Sequence, residues 1–154
     1  MEIFVDADAC PVKAIIVRLA KRRGLPVTMV ADTSHRIADG YSRVFTVDKA
    51  RDSVDIKLIN LVHPGDIVIT QDYGVAAMAL GKRCRALHQN GFLYDEGNID
   101  RLLFERHMGQ KARRTGGRTG GAPKRTREDD LQFERALERL LDASAAERTG
   151  FPQD

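Results

Sequence analysis

Asp6 and Asp8 stand two residues apart in Val5-Asp6-Ala7-Asp8-Ala9-Cys10. Asp72 closes the run Ile67-Val68-Ile69-Thr70-Gln71-Asp72, and Asp55 opens a helical pattern after Ser53-Val54. On extended backbone, residues i and i+2 project to the same side. Asp6 and Asp8 therefore share a direction at the carboxyl end of the first strand, and Asp72 ends a later strand in the same way. That edge of an open α/β sheet is where ligands bind. Asp55 begins the helix leading into the later strand and so faces the same rim; Asp48, Asp52 and Asp66 are further candidates for it. Two unit charges about 5 Å apart repel by roughly 3 kcal/mol at an effective dielectric of about 20. A hard divalent cation removes that cost, and oxygen-only ligands suit Mg²⁺ or Mn²⁺. Such an ion activates water and stabilises charge on a phosphoryl group. The plainer role of an aspartate after a strand is to cap a helix or form a turn. What argues against it here is the edge that Asp6, Asp8 and Asp72 share.

Other reactive side chains offer less. Cys10 lies at a helix start, where the dipole favours a thiolate, but no histidine stands in a motif relation to it. A packed thiol is the simpler reading, as it is for Cys84. His35, His63, His88 and His107 lack metal-ligand spacing. An Asp-x-Asp after a first strand also suits a phosphatase with an aspartyl-phosphate intermediate; that chemistry needs a lysine farther along, and Lys82 is the candidate.

The formal net charge is +3, but it is unevenly placed. Lys111, Arg113, Arg114, Arg118, Lys124, Arg125 and Arg127 fall within residues 111–127, which contain no acid. The remainder is therefore acidic, and the asymmetry says more than the total. These cations alternate with glycines, so the segment predicts a flexible arm making charge-assisted contacts to phosphates. It holds no aromatic residue for stacking, so any nucleic-acid binding it gives is poorly sequence-selective. A solubilising linker is the alternative.

The elements that position these groups alternate in type. Residues 2–7, 25–31, 43–47, 67–70 and 83–87 read as strands. Helices are expected from Pro11 to Arg23, from Ser53 to Val62 and from Gly74 to Leu80. Another is expected from Ile99 to Met108 with Asn98 at its N-cap, and a last one over 129–142. Strand–helix alternation of this kind implies a parallel sheet. The expected fold is a three-layer α/β/α sandwich with a mainly parallel sheet of four or five strands. Residues 1–109 form the α/β domain, 110–128 the basic segment, 129–144 the C-terminal helix and 145–154 a tail. Leu131, Phe133, Leu137, Leu140 and Leu141 give that helix an apolar face, which needs either the body of the domain or a second protomer, a route to a homo-oligomer. With 154 residues, 42% of them hydrophobic, the chain suits one domain. Its short apolar runs exclude a membrane-spanning helix, and the absence of an export-signal pattern together with only two cysteines points to the cytoplasm.

Residues 5–13, Val-Asp-Ala-Asp-Ala-Cys-Pro-Val-Lys, resemble the signature of the YaiI/YqxD family of uncharacterised bacterial proteins. The resemblance continues through Asp52-Ser53-Val54-Asp55 and Gly65–Asp72 to Thr119-Gly120-Gly121. That family is similar to PIN-like nucleases, which implies a parallel sheet with metal-binding acids at its carboxyl edge. Asp6, Asp55 and Asp72 match those acids, and Asp8 is particular to the family. Where PIN-type nucleases commonly carry one more acid, this chain has Tyr73-Gly74. The function expected is Mg²⁺- or Mn²⁺-dependent hydrolysis of RNA or another phosphodiester. Asp6, Asp55 and Asp72 would hold the metal, Asp8 would orient a ligand or water, and the basic segment would grip the backbone. The rival is a non-catalytic nucleic-acid-binding or scaffold protein that keeps the cleft.

Overall fold

Ile3–Asp6 forms β1, the centre of a six-stranded sheet ordered β3-β2-β1-β4-β5-β6. The computed structural model describes residues 1–32, 36–48, 53–114 and 124–149, with the side chains of 113–114 and 148–149 outside that description. β2 (Val27–Asp32) and β3 (Arg43–Val47) extend the sheet on one side of β1. β4 (Ile67–Ile69) and β5 (Arg85–Leu87) extend it on the other. These five strands are mutually parallel, and β6 (Leu93–Tyr94) adds an antiparallel edge through a hairpin from β5. The expected parallel sandwich is therefore present, one strand larger than anticipated.

Alternate residues of each strand feed opposite cores. Ile3, Val5, Val27, Met29, Ile67, Ile69 and Leu87 meet one layer; Phe4, Val30, Val68 and Ala86 meet the other. α1 (Lys13–Arg23) and α5 (Arg127–Thr149) cover the first face. α2 (Val54–Leu61), α3 (Tyr73–Gly81) and α4 (Glu96–Arg114) cover the second. Both faces are covered, as all-parallel pairing requires. Each fully buried aliphatic side chain contributes roughly 1.5–3 kcal/mol.

Several boundaries move for local reasons. Pro11 lies in the turn before α1, whose N-cap is Val12; the helix ends on cations and on Gly24 at φ 63°, as its sequence predicts. α4 starts earlier because Asp95, not Asn98, caps it: the Asp95 carboxylate accepts the Asn98 N–H at 2.8 Å, and Asn98 Oδ1 accepts the Asp95 N–H at 3.0 Å. α4 also continues through Arg114, so the first residues of the basic segment are helical. α5 runs well past residue 142. Its apolar face falls to the body of the domain, with Phe133, Leu137 and Leu141 at most 1% exposed. The β5–β6 turn touches α5 so closely that a Cβ on Gly91 (φ 94°) would lie 2.7 Å from the Gln132 carbonyl oxygen.

Candidate functional site

The order of the strands places the cleft. The connection after β1 passes over one face and the connection into β4 passes over the other, so β1 and β4 flank a topological switch point. The crevice beyond their carboxyl ends is the expected ligand position. Asp6 ends β1, and Asp72 follows β4. A cleft of about 450 Å³ opens there, lined by Asp6, Asp8, Gln71, Asp72, Tyr73 and Arg106.

Thr70 ties its two walls together. Its hydroxyl donates to Asp6 Oδ2 at 2.9 Å and accepts the Asp72 N–H at 2.9 Å. Its carbonyl accepts the buried Tyr94 hydroxyl at 3.0 Å. Asp72 is also the N-cap of α3, its Oδ1 accepting the N–H groups of Gly74 and Val75 at 2.8 and 3.3 Å. Capping and site membership thus coincide in one residue. Asp8 reaches the cleft by a different route from the one its spacing suggested. β1 stops at Asp6, and Asp8 sits in a turn with Ala9 in the left-handed region at φ 57°. Both Asp8 carboxylate oxygens accept the Asp32 N–H, at 3.3 and 3.2 Å. Asp55 lies in the first turn of α2 and accepts the Ile56 N–H at 3.1 Å.

Asp6 registers the combined field. Burial raises its pKa most and the Thr70 hydrogen bond lowers it; Asp72, Asp8 and Asp55 then push it up, to about 6. All four predicted carboxylates are therefore close enough to interact. Their donor chemistry fits a hard divalent cation, since every group is an oxygen ligand and the repulsion among them is what a cation would relieve. Among the described residues, no three Asp, Glu, His or Cys side chains stand close enough together to hold a metal ion as they are.

Arg106 was not foreseen from sequence. It projects from α4 to place Nη1 3.3 Å from Asp72 Oδ1, the cation among the cleft-lining side chains. The available signal was its position one turn beyond the core residue Leu102.

Other candidates fall elsewhere. Asp66 precedes β4, so it lies at the opposite edge from the cleft, where it accepts the Glu2 and His63 N–H groups, each at 2.9 Å. Lys82, beyond the far end of α3, donates to the Ile59 carbonyl at 2.7 Å, which leaves the phosphatase reading without its lysine. Asp48 follows β3 at the carboxyl edge, whereas Asp52 and His35 lie outside the described residues. Cys10 is buried, its pKa raised chiefly by that burial, and Cys84 is buried beside the His63 carbonyl. Of the basic segment, Lys111, Lys124 and Arg127 are exposed. Arg118, with most of the stretch expected to be mobile, and the side chains of Arg113 and Arg114 lie outside the described residues. Arg125 is anchored: Nε to Asp130 at 2.7 Å, Nη1 to Asn90 Oδ1 at 2.6 Å and Nη2 to the Gln89 carbonyl at 2.8 Å. Among the described residues, no helix is long and apolar enough to cross a membrane.

Comparison with known proteins finds relatives along most of the chain. The family described as "Uncharacterized BCR, YaiI/YqxD family" matches residues 4–143. A UPF0178 protein of Ruminiclostridium cellulolyticum is 68% identical over 137 residues, covering 89% of this chain and 90% of that protein. A UPF0178 protein of Alkaliphilus oremlandii is 56% identical, covering 92% of each chain. One from Clostridium acetobutylicum is 52% identical, covering 92% of this chain and 97% of its own. Among solved structures, a mutant of Rae1 (YacP) from Bacillus subtilis aligns with a TM-score of 0.44 at 15% identity, covering 93% of this chain and 99% of that one. Asp6, Asp8, Asp55 and Asp72 all lie inside the matched span, and the chain belongs to the YaiI/YqxD family.

Proposed function

We propose that this protein is a divalent-metal-dependent phosphodiesterase acting on RNA, with Asp6, Asp8, Asp55 and Asp72 as its metal-holding acids. The observation that carries this reading is the gathering of Asp6, Asp8 and Asp72 around a switch-point cleft, where burial and the neighbouring carboxylates, Asp55 included, raise the pKa of Asp6. A bound Mg²⁺ or Mn²⁺ would supply an acidified water and charge neutralisation at a phosphoryl group. The chain's own residues supply the rest. Thr70 holds Asp6 and the Asp72 backbone in fixed relation. Arg106, drawn to Asp72, is placed to exchange that carboxylate for a phosphate oxygen. RNA as substrate rests on the family resemblance and on the cations of residues 111–127, and cytoplasmic location on a chain with only two cysteines. Tyr73-Gly74, where an additional acid would stand, favours one metal and slow turnover.

The test is Mn²⁺-stimulated cleavage of single-stranded RNA, expected to be weak, abolished by EDTA and lost in Asp72→Asn. Equal cleavage by wild type and Asp72→Asn would identify a contaminating nuclease and defeat the assignment. The rival, a nucleic-acid-binding protein without catalysis, is favoured by the Arg106–Asp72 ion pair, which already compensates one acid. RNA binding without cleavage across several metals would establish it.

A further inference from the structure

A larger concavity than the acidic cleft, about 660 Å³, lies along α1. One bank is α1 and the other is the stretch of residues 36–39. Its floor is apolar, built from Val17 and Ile37 with Ala14 and Ala38. Its banks carry Lys13, Lys21, Arg22 and Arg36, with Arg18 turned to Glu134 of α5 at 2.6 Å, against a single lining acid, Asp39. That acid is engaged locally, accepting the Tyr41 and Ser42 N–H groups at 2.8 and 2.6 Å. The α1 cations recur over successive turns, so from Lys13 to Arg22 they track roughly 13 Å of helix at 1.5 Å per residue. A single small anion needs no such length.

The groove also has a direction. α1 returns from the carboxyl edge of the sheet toward the amino edge, so Lys13 marks the end nearest the acids. Lys13 Nζ donates to the Ala7 carbonyl at 3.4 Å, and Ala7 lies between Asp6 and Asp8. Lys13 thus links the near end of the groove to the backbone between two of the cleft's acids: one concavity is acidic and suited to metal and reaction, the other cationic and suited to an extended polyanion.

We propose that the groove between α1 and residues 36–39 binds the phosphodiester backbone of single-stranded RNA as it leaves the acidic cleft. The substrate class rests on the function proposed above; the site itself rests on the charge and shape of the groove. Arg22 and Arg36 contact phosphates, and the Val17–Ile37 floor packs against ribose and base. Among the described residues no aromatic side chain lines the groove, so recognition is insensitive to sequence.

The experiment is fluorescence anisotropy of labelled oligouridylate and oligoadenylate in EDTA, where no cleavage occurs, over a salt series. Arg22→Gln/Arg36→Gln is compared with the equal charge change Arg135→Gln/Arg139→Gln on α5, and Arg36→Gln alone serves if the double variant does not fold. The groove variant should bind at least about tenfold more weakly at low salt, with a salt slope smaller by about 1.4, or about 0.7 per lost cation. Both oligonucleotides should be affected alike and the α5 variant spared. Equal losses in the two variants, unchanged binding, or no binding by the wild type would overturn the proposal. Displacement by polyglutamate as effective as by RNA would also overturn it, in favour of an acidic protein partner. Hydrolysis of bis(4-nitrophenyl) phosphate with Mn²⁺, a diester too small to need the groove, tests the cleft separately.

Discussion

The acidic cleft and the clasp around Arg125 both lie at the carboxyl edge of the sheet, yet they treat charge in opposite ways. In the clasp one guanidinium finds a carboxylate, an amide oxygen and a backbone carbonyl within 2.8 Å. His88 beside it is held neutral, its pKa lowered to about 4 by burial and then by Arg125. Its Nδ1 accepts the Asn90 N–H at 2.9 Å, and its ring stacks on Phe92. Every charge there serves to fix the β5–β6 turn against α5. In the cleft, burial and then the neighbouring acids act against the charge of Asp6, and Arg106 offsets only Asp72. The first arrangement stabilises the fold, and the second costs stability unless a cation arrives. That contrast separates a structural cluster from a functional one.

Removing charge should accordingly have opposite signs in the two places. Asp6→Asn keeps an acceptor for Thr70 and removes a buried charge together with its repulsion from the other acids, so without metal it should raise stability at pH 7.5 by about 2–3 kcal/mol. Because the folded pKa of Asp6 is raised from 3.8 to about 6, folding takes up a proton in that window. Its favourable contribution is full below pH 3.8 and is lost as pH rises through about 6. His88 acts in the reverse sense: its contribution is full above pH 6.5 and is lost as pH falls toward 4. The two slopes oppose each other in the wild type. Denaturant titrations across this range should show Asp6→Asn losing stability more steeply on acidification than the wild type. Parallel profiles would mean that neither burial nor repulsion raises the pKa of Asp6.

Arg125→Ala should go the other way, destabilising by about 2 kcal/mol through lost charge-assisted bonds. NMR titration of His88 in that variant should show its pKa moving up toward the ordinary value. An unmoved pKa would mean that burial alone holds the ring neutral. The smallest effect expected is at Ala9, which strains the turn holding Asp8. Ala9→Gly should relieve roughly 1 kcal/mol, since only glycine adopts left-handed backbone without penalty. No gain in the midpoint of urea unfolding would refute that strain.

Comparing particular residues shows what could be read before folding. Asp66 and Asp72 bracket β4, and strand direction alone sends them to opposite edges; the distinction was present in the pattern, and only Asp72 belonged with Asp6. Asp6 and Asp72 were legible because an apolar run ending in acid gives both the strand and its polarity. Asp8 reached the expected cleft from a turn rather than from a longer strand, because the chain must reverse there to begin α1. Gln110–Arg114 looked like arm because they lack large aliphatic side chains, yet helix propagation carries α4 through them.

Local periodicity and end signals, which depend on neighbours a few residues apart, determined the parallel α/β class, both core faces and the shared edge of the four aspartates. Three other features were decided only in the folded chain. Arg106 reaches Asp72 across 34 positions of sequence. Arg125 finds its clasp 35 and 36 residues away. The basic groove exists because α1 and the stretch after β2 lie side by side. Each depends on where one packed helix or loop comes to rest against another, and that placement arises from the summed burial of both cores rather than from any local pattern.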